Sequence, residues 1–340
     1  MGRKTNRVLK ADPKILETIN EDNKYLMDDF INYLISADRT KETIKVYTSN
    51  LNIIFCWIAE RCKNKPFYEI TKRDIMNMQN FMVRNGLSSA RIKHIRSTMS
   101  SLSDYIERMM DDEYPDFRNI VSKIPTPPKA EAREKTVLSE SDVQELLDVL
   151  VDTERYQVAC YVAMAMYSGA RKSEMIQYKR SWFNPENTVG GLYKTPYIRT
   201  KGKGSQGKKL NKYVMRNKVD YYLDLWDKER QRLGIEIDDL FVTKENGKYV
   251  CAKVSTVNSF METCSNLMDL DIYSHSFRHY YTTYLLKMGV DITAVRDLMG
   301  HEDTSTTEIY SDIPKEDNFL KYFSENGDII PQDKKGLSDL

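Results

Sequence analysis

Apolar residues recur every three or four positions through the first third of the chain, and that spacing predicts helices. Ile15, Ile19, Tyr25, Leu26, Phe30, Tyr33 and Leu34 mark one helix from Lys14 to Ile35. A second opens at Arg39-Thr40-Lys41-Glu42 and carries Ile44, Tyr47, Leu51, Ile54, Phe55 and Ile58. Thr71 is placed to cap a third, with Asp74 standing at the capping-box position usually held by Glu. Asn85-Gly86 ends it, because glycine takes the left-handed conformation of a helix C-terminus. Ser88 to Met110 is a fourth helix, with Ile92, Ile95, Met99, Leu102, Tyr105 and Ile106 on one side. Residues 13–112 therefore predict a bundle of four or five helices without strands.

The pattern then breaks. Pro125, Pro127 and Pro128 precede the charged run Lys129 to Lys135, which makes residues 123–136 an extended linker. Beyond it Ser139 caps a new helix, with Glu140 and Asp142 in the first turn where the helix dipole favours acids. Residues 154–180 read as helical, interrupted near Ser168-Gly169. Thr195 to Val214 reads as two short strands joined by the glycine-rich turn Lys201 to Lys208. An amphipathic helix is expected over 216–233, and a hairpin over 240–250 on Asn246-Gly247. Helices follow over 253–268, 276–288 and 291–299, the last two closed by Gly289 and Gly300. The second domain is thus mostly helical with a small antiparallel sheet.

Composition adds three constraints. With 340 residues the chain suits two domains, and 41% apolar residues suffice for packed cores. No run approaches the roughly 20 apolar residues of a membrane span, and no apolar segment follows the N-terminal Met1 to Arg7, so neither a span nor a signal peptide is expected. The five cysteines, Cys56, Cys62, Cys160, Cys251 and Cys264, are widely spaced and predict buried thiols in a reducing compartment. Net charge is only +1. Its distribution is uneven: no Asp or Glu occurs from Asn187 to Val219, where Lys194, Arg199, Lys201, Lys203, Lys208, Lys209, Lys212, Arg216 and Lys218 crowd. A field of one sign predicts a local polyanion footprint.

Of the chain's four histidines, three fall between residues 275 and 301. His275 and Arg278 share a helix face, and His279 can line it. Gly300-His301 follows the amphipathic segment ending at Met299, and Tyr310 lies a few residues on. Upstream, Arg171 and Glu174 stand one turn apart in Ser168-Gly-Ala-Arg-Lys-Ser-Glu, so the carboxylate can orient the guanidinium. A metal site is not expected. The spacing of His275 and His279 suits zinc, but Ser276 stands where a zinc protease has Glu, and Arg278 would put a cation beside the metal. Two arginines, histidines and a tyrosine instead suit a cage for a phosphate with a nucleophile beside it.

These segments resemble the tyrosine recombinase (phage integrase) family, of the mobile-element integrase or transposon recombinase type. The resemblance rests on Arg171 with Glu174, His275-x-x-Arg278-His279, Leu298-Met-Gly-His301 and Tyr310, in that order and spacing. Thr43, Tyr47, Leu51 and Trp57 resemble the family's core-binding domain. It implies a mainly α fold with a small antiparallel β-sheet, as a two-domain C-shaped DNA clamp. The expected division is a flexible basic arm (1–12), a helical core-binding domain (13–122), the linker (123–136), a mixed α/β catalytic domain (137–325) and a disordered tail (326–340). The implied activity is site-specific recombination through a covalent 3′-phosphotyrosyl DNA, serving integration, excision or transposition, without metal, ATP or other cofactor.

The family's roles carry over as follows. Arg171, Arg278 and His301 would hold the phosphate, Tyr310 would attack it, and His275 would take the tyrosine's proton. Lys201 would protonate the leaving 5′-hydroxyl, although Lys203, Lys208 and Lys209 in the same long turn leave that choice open. Glu174 and His279 would support. Lys45, Lys93, Arg96, Arg199, Lys203, Lys208 and Lys209 would contact DNA. The implied partners are double-stranded DNA bearing recombination sites, three further copies of the chain in a tetramer assembled from monomers, and an accessory directionality factor, in the cytoplasm at the nucleoid. Phe319, Leu320, Tyr322 and Phe323 form an apolar knot that either docks on a neighbouring subunit or packs at home. Two alternatives remain: a type IB topoisomerase-like enzyme, and a DNA-binding relative without catalysis.

Overall fold

The computed structural model describes residues 9–128, 138–202, 204, 206–290 and 292–300. The basic arm up to residue 8, most of the linker, Lys203, His301, Tyr310 and the expected tail lie outside the described residues. The chain divides into two units: one takes the described residues up to 128 with those of the turn 201–208, the other takes 138–200 and 209–300.

The first unit is built from α1 (Pro13–Thr18), α2 (Glu21–Ser36), α3 (Lys41–Arg61), α4 (Lys72–Arg84) and α5 (Ser89–Met109). The single helix expected over 14–35 is two. Ile19 is extended at φ −57 and ψ 138, and Asn20 starts again as the N-cap of α2, accepting from the Asn23 amide at 2.8 Å. Leu26, Phe30 and Leu34 face inward with Leu51, Ile54, Ile95, Leu102 and Ile106, whereas Tyr25 turns out to solvent. Buried Asn23 bonds the Lys65 carbonyl and the Phe67 amide, each at 2.8 Å, so its burial leaves no unmet polar group there. Thr71 and Asp74 form the expected capping box: the Asp74 amide donates to Thr71 Oγ1 and the Thr71 amide to Asp74 Oδ2.

The second unit contains α6 (Glu140–Asp152), α7 (Tyr156–Met166), α8 (Lys172–Met175), β1 (Thr188–Val189), β2 (Leu192–Lys194), β3 (Ile198–Thr200), β4 (Lys208–Leu210), β5 (Tyr213–Met215), α9 (Arg216–Arg232), β6 (Val242–Glu245), β7 (Lys248–Cys251), α10 (Val254–Met268), α11 (Ser274–Lys287) and α12 (Ile292–Met299). Ser139 caps α6 through a second capping box with Asp142. α7 is buried almost throughout, with Ala159, Cys160 and Ala163 fully enclosed, and it is the axis of this core.

The strands differ from expectation. The segment 195–214 supplies the β3–β4 pair, but a three-stranded antiparallel sheet also forms in the order β1–β2–β5, with Tyr193 opposite Val214. Pro196 has no amide hydrogen, so the strand expected from Thr195 begins only at Ile198. The β6–β7 hairpin forms as expected, with Asn246 and Gly247 both left-handed at φ 49 and 80, as a tight hairpin turn requires. All five cysteines are free thiols, but Cys251 is exposed on β7 and departs from the expected burial. Among the described residues no helix is long and apolar enough to cross a membrane.

Candidate active site

The site is assembled where α7 ends. Ser168 Oγ turns back to the Met164 carbonyl at 2.6 Å and accepts from the Ala170 amide. Gly169 follows with φ +59, and a Cβ there would sit 2.5 Å from Met299 Sδ and 2.6 Å from Tyr281 Cδ1. Only glycine lets α11 and α12 close on this turn. The chain then enters α8 with Arg171 at its start.

Glu174, fully buried on α8, clasps Arg171 twice. Its Oε1 accepts from Arg171 Nη1 at 2.9 Å and its Oε2 from the Arg171 backbone amide at 2.9 Å. The same Oε2 lies 3.1 Å from Lys212 Nζ. Lys212 is 1% exposed and also donates to the Met299 carbonyl at 3.3 Å. Arg278, likewise 1% exposed on α11, donates to that carbonyl at 2.9 Å and to the Gly169 carbonyl.

Three cations thus surround one carboxylate. Burial works against ionisation of Glu174, but Lys212, the Arg171 amide, Arg171 and Arg278 outweigh it and hold its pKa below the ordinary 4.5. For Lys212 burial also opposes charge; Glu174 resists, while Arg278 and Arg171 reinforce the effect, and its pKa falls below the ordinary 10.5. The excess positive charge is what a developing phosphoryl anion needs.

The expected residues divide as follows. Arg171, Glu174 and Arg278 are brought together. His279 is buried on α11 next to Arg278, and His275 is exposed in the first turn of that helix. Lys201, Lys208 and Lys209 are exposed, and so is Arg199 on β3, whose backbone exchanges hydrogen bonds with the Gln177 side chain. Lys45 on α3 and Lys93 on α5 are exposed. Arg96 requires a correction. It is 6% exposed, and its guanidinium donates to the carbonyls of Val121, Ile124 and Pro125 at 3.1, 2.6 and 3.0 Å and to Gln79 Oε1. It clamps the segment after α5 and is not placed to meet DNA.

Lys212 was not singled out by motif. A signal exists in the strand period: Lys212 and Val214 are two residues apart, so they share a face, and Val214 is fully buried.

Known proteins share sequence and fold with this chain. Residues 136–316 match the model of the phage integrase family. The chain is 30% identical over 304 residues to the SPbeta prophage-derived recombinase-like protein YomM of Bacillus subtilis (strain 168), covering 87% of this chain and 89% of that one. It is 23% identical over 300 residues to the tyrosine recombinase XerD of Oceanobacillus iheyensis, covering 86% and 95%. Among solved structures, XerH site-specific recombinase bound to a palindromic difH substrate superposes with a TM-score of 0.62 at 21% identity, covering 82% of this chain and 78% of that chain. A lambda integrase dimer bound to a COC′ core site superposes with a TM-score of 0.62 at 18% identity, covering 88% and 81%.

Proposed function

The chain belongs to the phage integrase family of tyrosine recombinases, and from that premise we propose that it cuts and rejoins DNA at specific sites through a covalent 3′-phosphotyrosyl intermediate. The observation that carries this reading is the meeting of Arg171 and Arg278, remote in sequence, around Glu174 and the Met299 carbonyl. Guanidinium groups are permanently charged forks suited to the oxygens of a phosphodiester.

In the proposed reaction Tyr310 Oη forms a bond to phosphorus while the bond from phosphorus to the 5′-oxygen breaks. His275 accepts the phenolic proton, since a tyrosine of ordinary pKa near ~10 is a poor nucleophile at neutral pH. Lys201 gives a proton to the departing 5′-oxygen. Arg171, Arg278 and His301 bear the charge gathering on the non-bridging oxygens. The phosphotyrosine conserves the bond energy, so a 5′-hydroxyl from a second duplex reverses the step without nucleotide hydrolysis. Residues 13–122, with exposed Lys45 and Lys93, would supply further DNA contacts. Four copies acting on two sites would complete exchange, and the reading assigns the chain to integration, excision or transposition of a mobile element.

The direct test is a duplex nicked close to the cleavage point, which traps the covalent adduct on a denaturing gel. Wild-type protein should form the adduct, and Tyr310→Phe should bind the duplex yet form none. An adduct in that variant removes Tyr310 as nucleophile. Exchange between two labelled duplexes, against relaxation alone, separates recombination from topoisomerase-like action.

A further inference from the structure

Lys212 lies between β4 and β5, at the base of the hairpin that carries Lys201. Its backbone is pinned: the amide donates to Thr195 Oγ1 at 2.9 Å and the carbonyl accepts from the Thr195 amide at 2.9 Å. Neighbouring Asn211 adds a bond to the Thr195 carbonyl at 2.7 Å. From this fixed root the side chain runs inward to Glu174 and to the last carbonyl of α12. Gly300, at φ +66, packs over it. A Cβ at Gly300 would come 2.7 Å from Leu210 Cδ1 and 3.7 Å from Lys212 Nζ.

One ammonium therefore joins three pieces of chain: the root of the Lys201 hairpin, the carboxylate that orients Arg171, and the end of the helix that leads into residue 301. The helix end is a favourable place for a cation, because its carbonyls carry the negative pole of the dipole. A lysine enclosed to 1% exposure cannot reach a phosphate in the DNA, so any part it has in the reaction passes through these neighbours.

We propose that Lys212 is a positioning residue for strand cleavage, holding the end of α12 and the Glu174-bound guanidinium of Arg171 in one fixed relation to Arg278. The proposal rests on the recombinase reading above. It distinguishes two lysines by role: Lys201 moves a proton to the leaving group, and Lys212 holds the cage.

The experiment compares wild type, Lys201→Ala, Lys212→Met and Lys212→Gln on the nicked duplex and on the same duplex with sulfur replacing the bridging 5′-oxygen. A thiolate departs without being protonated. Single-turnover cleavage at saturating protein is read beside DNA affinity and thermal melting. Lys201→Ala should be slow on oxygen and recover on sulfur. Lys212→Met should be slower by about a hundredfold on both, the loss expected from an ångström of misplacement, with DNA affinity nearly unchanged. Lys212→Gln keeps a donor toward Met299 and should fall between; it carries the test if Lys212→Met melts below the assay temperature. Recovery of Lys212→Met on sulfur would make Lys212 the proton donor and overturn the proposal. So would a wild-type rate in either variant, or a loss that vanishes on cooling to where the variant is fully folded. A wild-type protein that forms no adduct would instead remove the recombinase reading itself.

Discussion

Glu174 Oε2 lies 3.1 Å from Lys212 Nζ, and neither side chain is more than 1% exposed. A buried ion pair gains little net stability over a well-packed apolar pair, but losing one partner strands the other charge. The pair therefore makes the fold of the second unit depend on both members and ties its stability to the geometry around Arg171 and Arg278.

Glu174→Gln should destabilise the protein by about 3–5 kcal/mol, because Lys212 keeps a buried charge without its anion. Glu174→Gln combined with Lys212→Met should be less destabilised than Glu174→Gln alone. Urea unfolding of the single and double variants measures the difference. Simple addition of the two single effects would show that the two side chains are not coupled.

The pair also sets an acid limit. Glu174 has its folded pKa lowered from the ordinary 4.5, so its carboxylate contributes stability in full above that value. As pH falls below 4.5 the unfolded chain takes up the proton first, and the contribution is gone once pH has passed through the lower folded value. The stability gap between wild type and Glu174→Gln should therefore shrink across that acidic window. Denaturant titrations from neutral pH downward check it, and a gap that stays constant would contradict the assignment.

Gly169→Ala tests the closure of α11 and α12 on the turn before Arg171. The residue is left-handed at φ +59, and the new methyl would meet Met299 and Tyr281 within 2.6 Å. Backbone strain and overpacking together should cost about 2–4 kcal/mol. Cleavage by the folded fraction should slow as well, since Met299 bears the carbonyl that Arg278 and Lys212 share. Thermal melting and adduct formation below the melting range read the two effects separately.

Arg96 and Lys93 sit on the same helix and should behave oppositely. Arg96→Met takes the guanidinium donor from the Ile124 carbonyl and one of two donors from the Val121 and Pro125 carbonyls, and should destabilise the first unit by about 1–3 kcal/mol, with DNA affinity of the folded protein unchanged. Lys93→Ala should fold normally, weaken DNA binding, and reduce the salt dependence of the binding constant by about one ion. Binding isotherms at several salt concentrations, beside melting curves, distinguish the two.

Local rules carried much of the reading. Thr71 with Asp74, Ser139, and Asn246-Gly247 announce themselves because capping and tight turns depend on residues three or fewer apart. Arg171 with Glu174 was legible for the same reason: one helical turn joins them. The break at Ile19-Asn20 was not, because the apolar spacing runs unbroken through it and Asn20 is anchored by Asn64, which is distant in sequence. Arg96 looked like any exposed helical arginine until the carbonyls of residues 121–125 closed over it.

Most of the helices, the caps at Thr71 and Ser139, the basic stretch from 187 to 219 and the family-bearing motifs were determined by sequence alone, since each depends on neighbours along the chain. That Lys212, alone among the described lysines of that stretch, is enclosed with Glu174 and Arg278 was decided only by folding. Nothing in a lysine's immediate neighbours reports which distant carboxylate will meet it; burial of a charge becomes tolerable only where tertiary packing delivers its counterion.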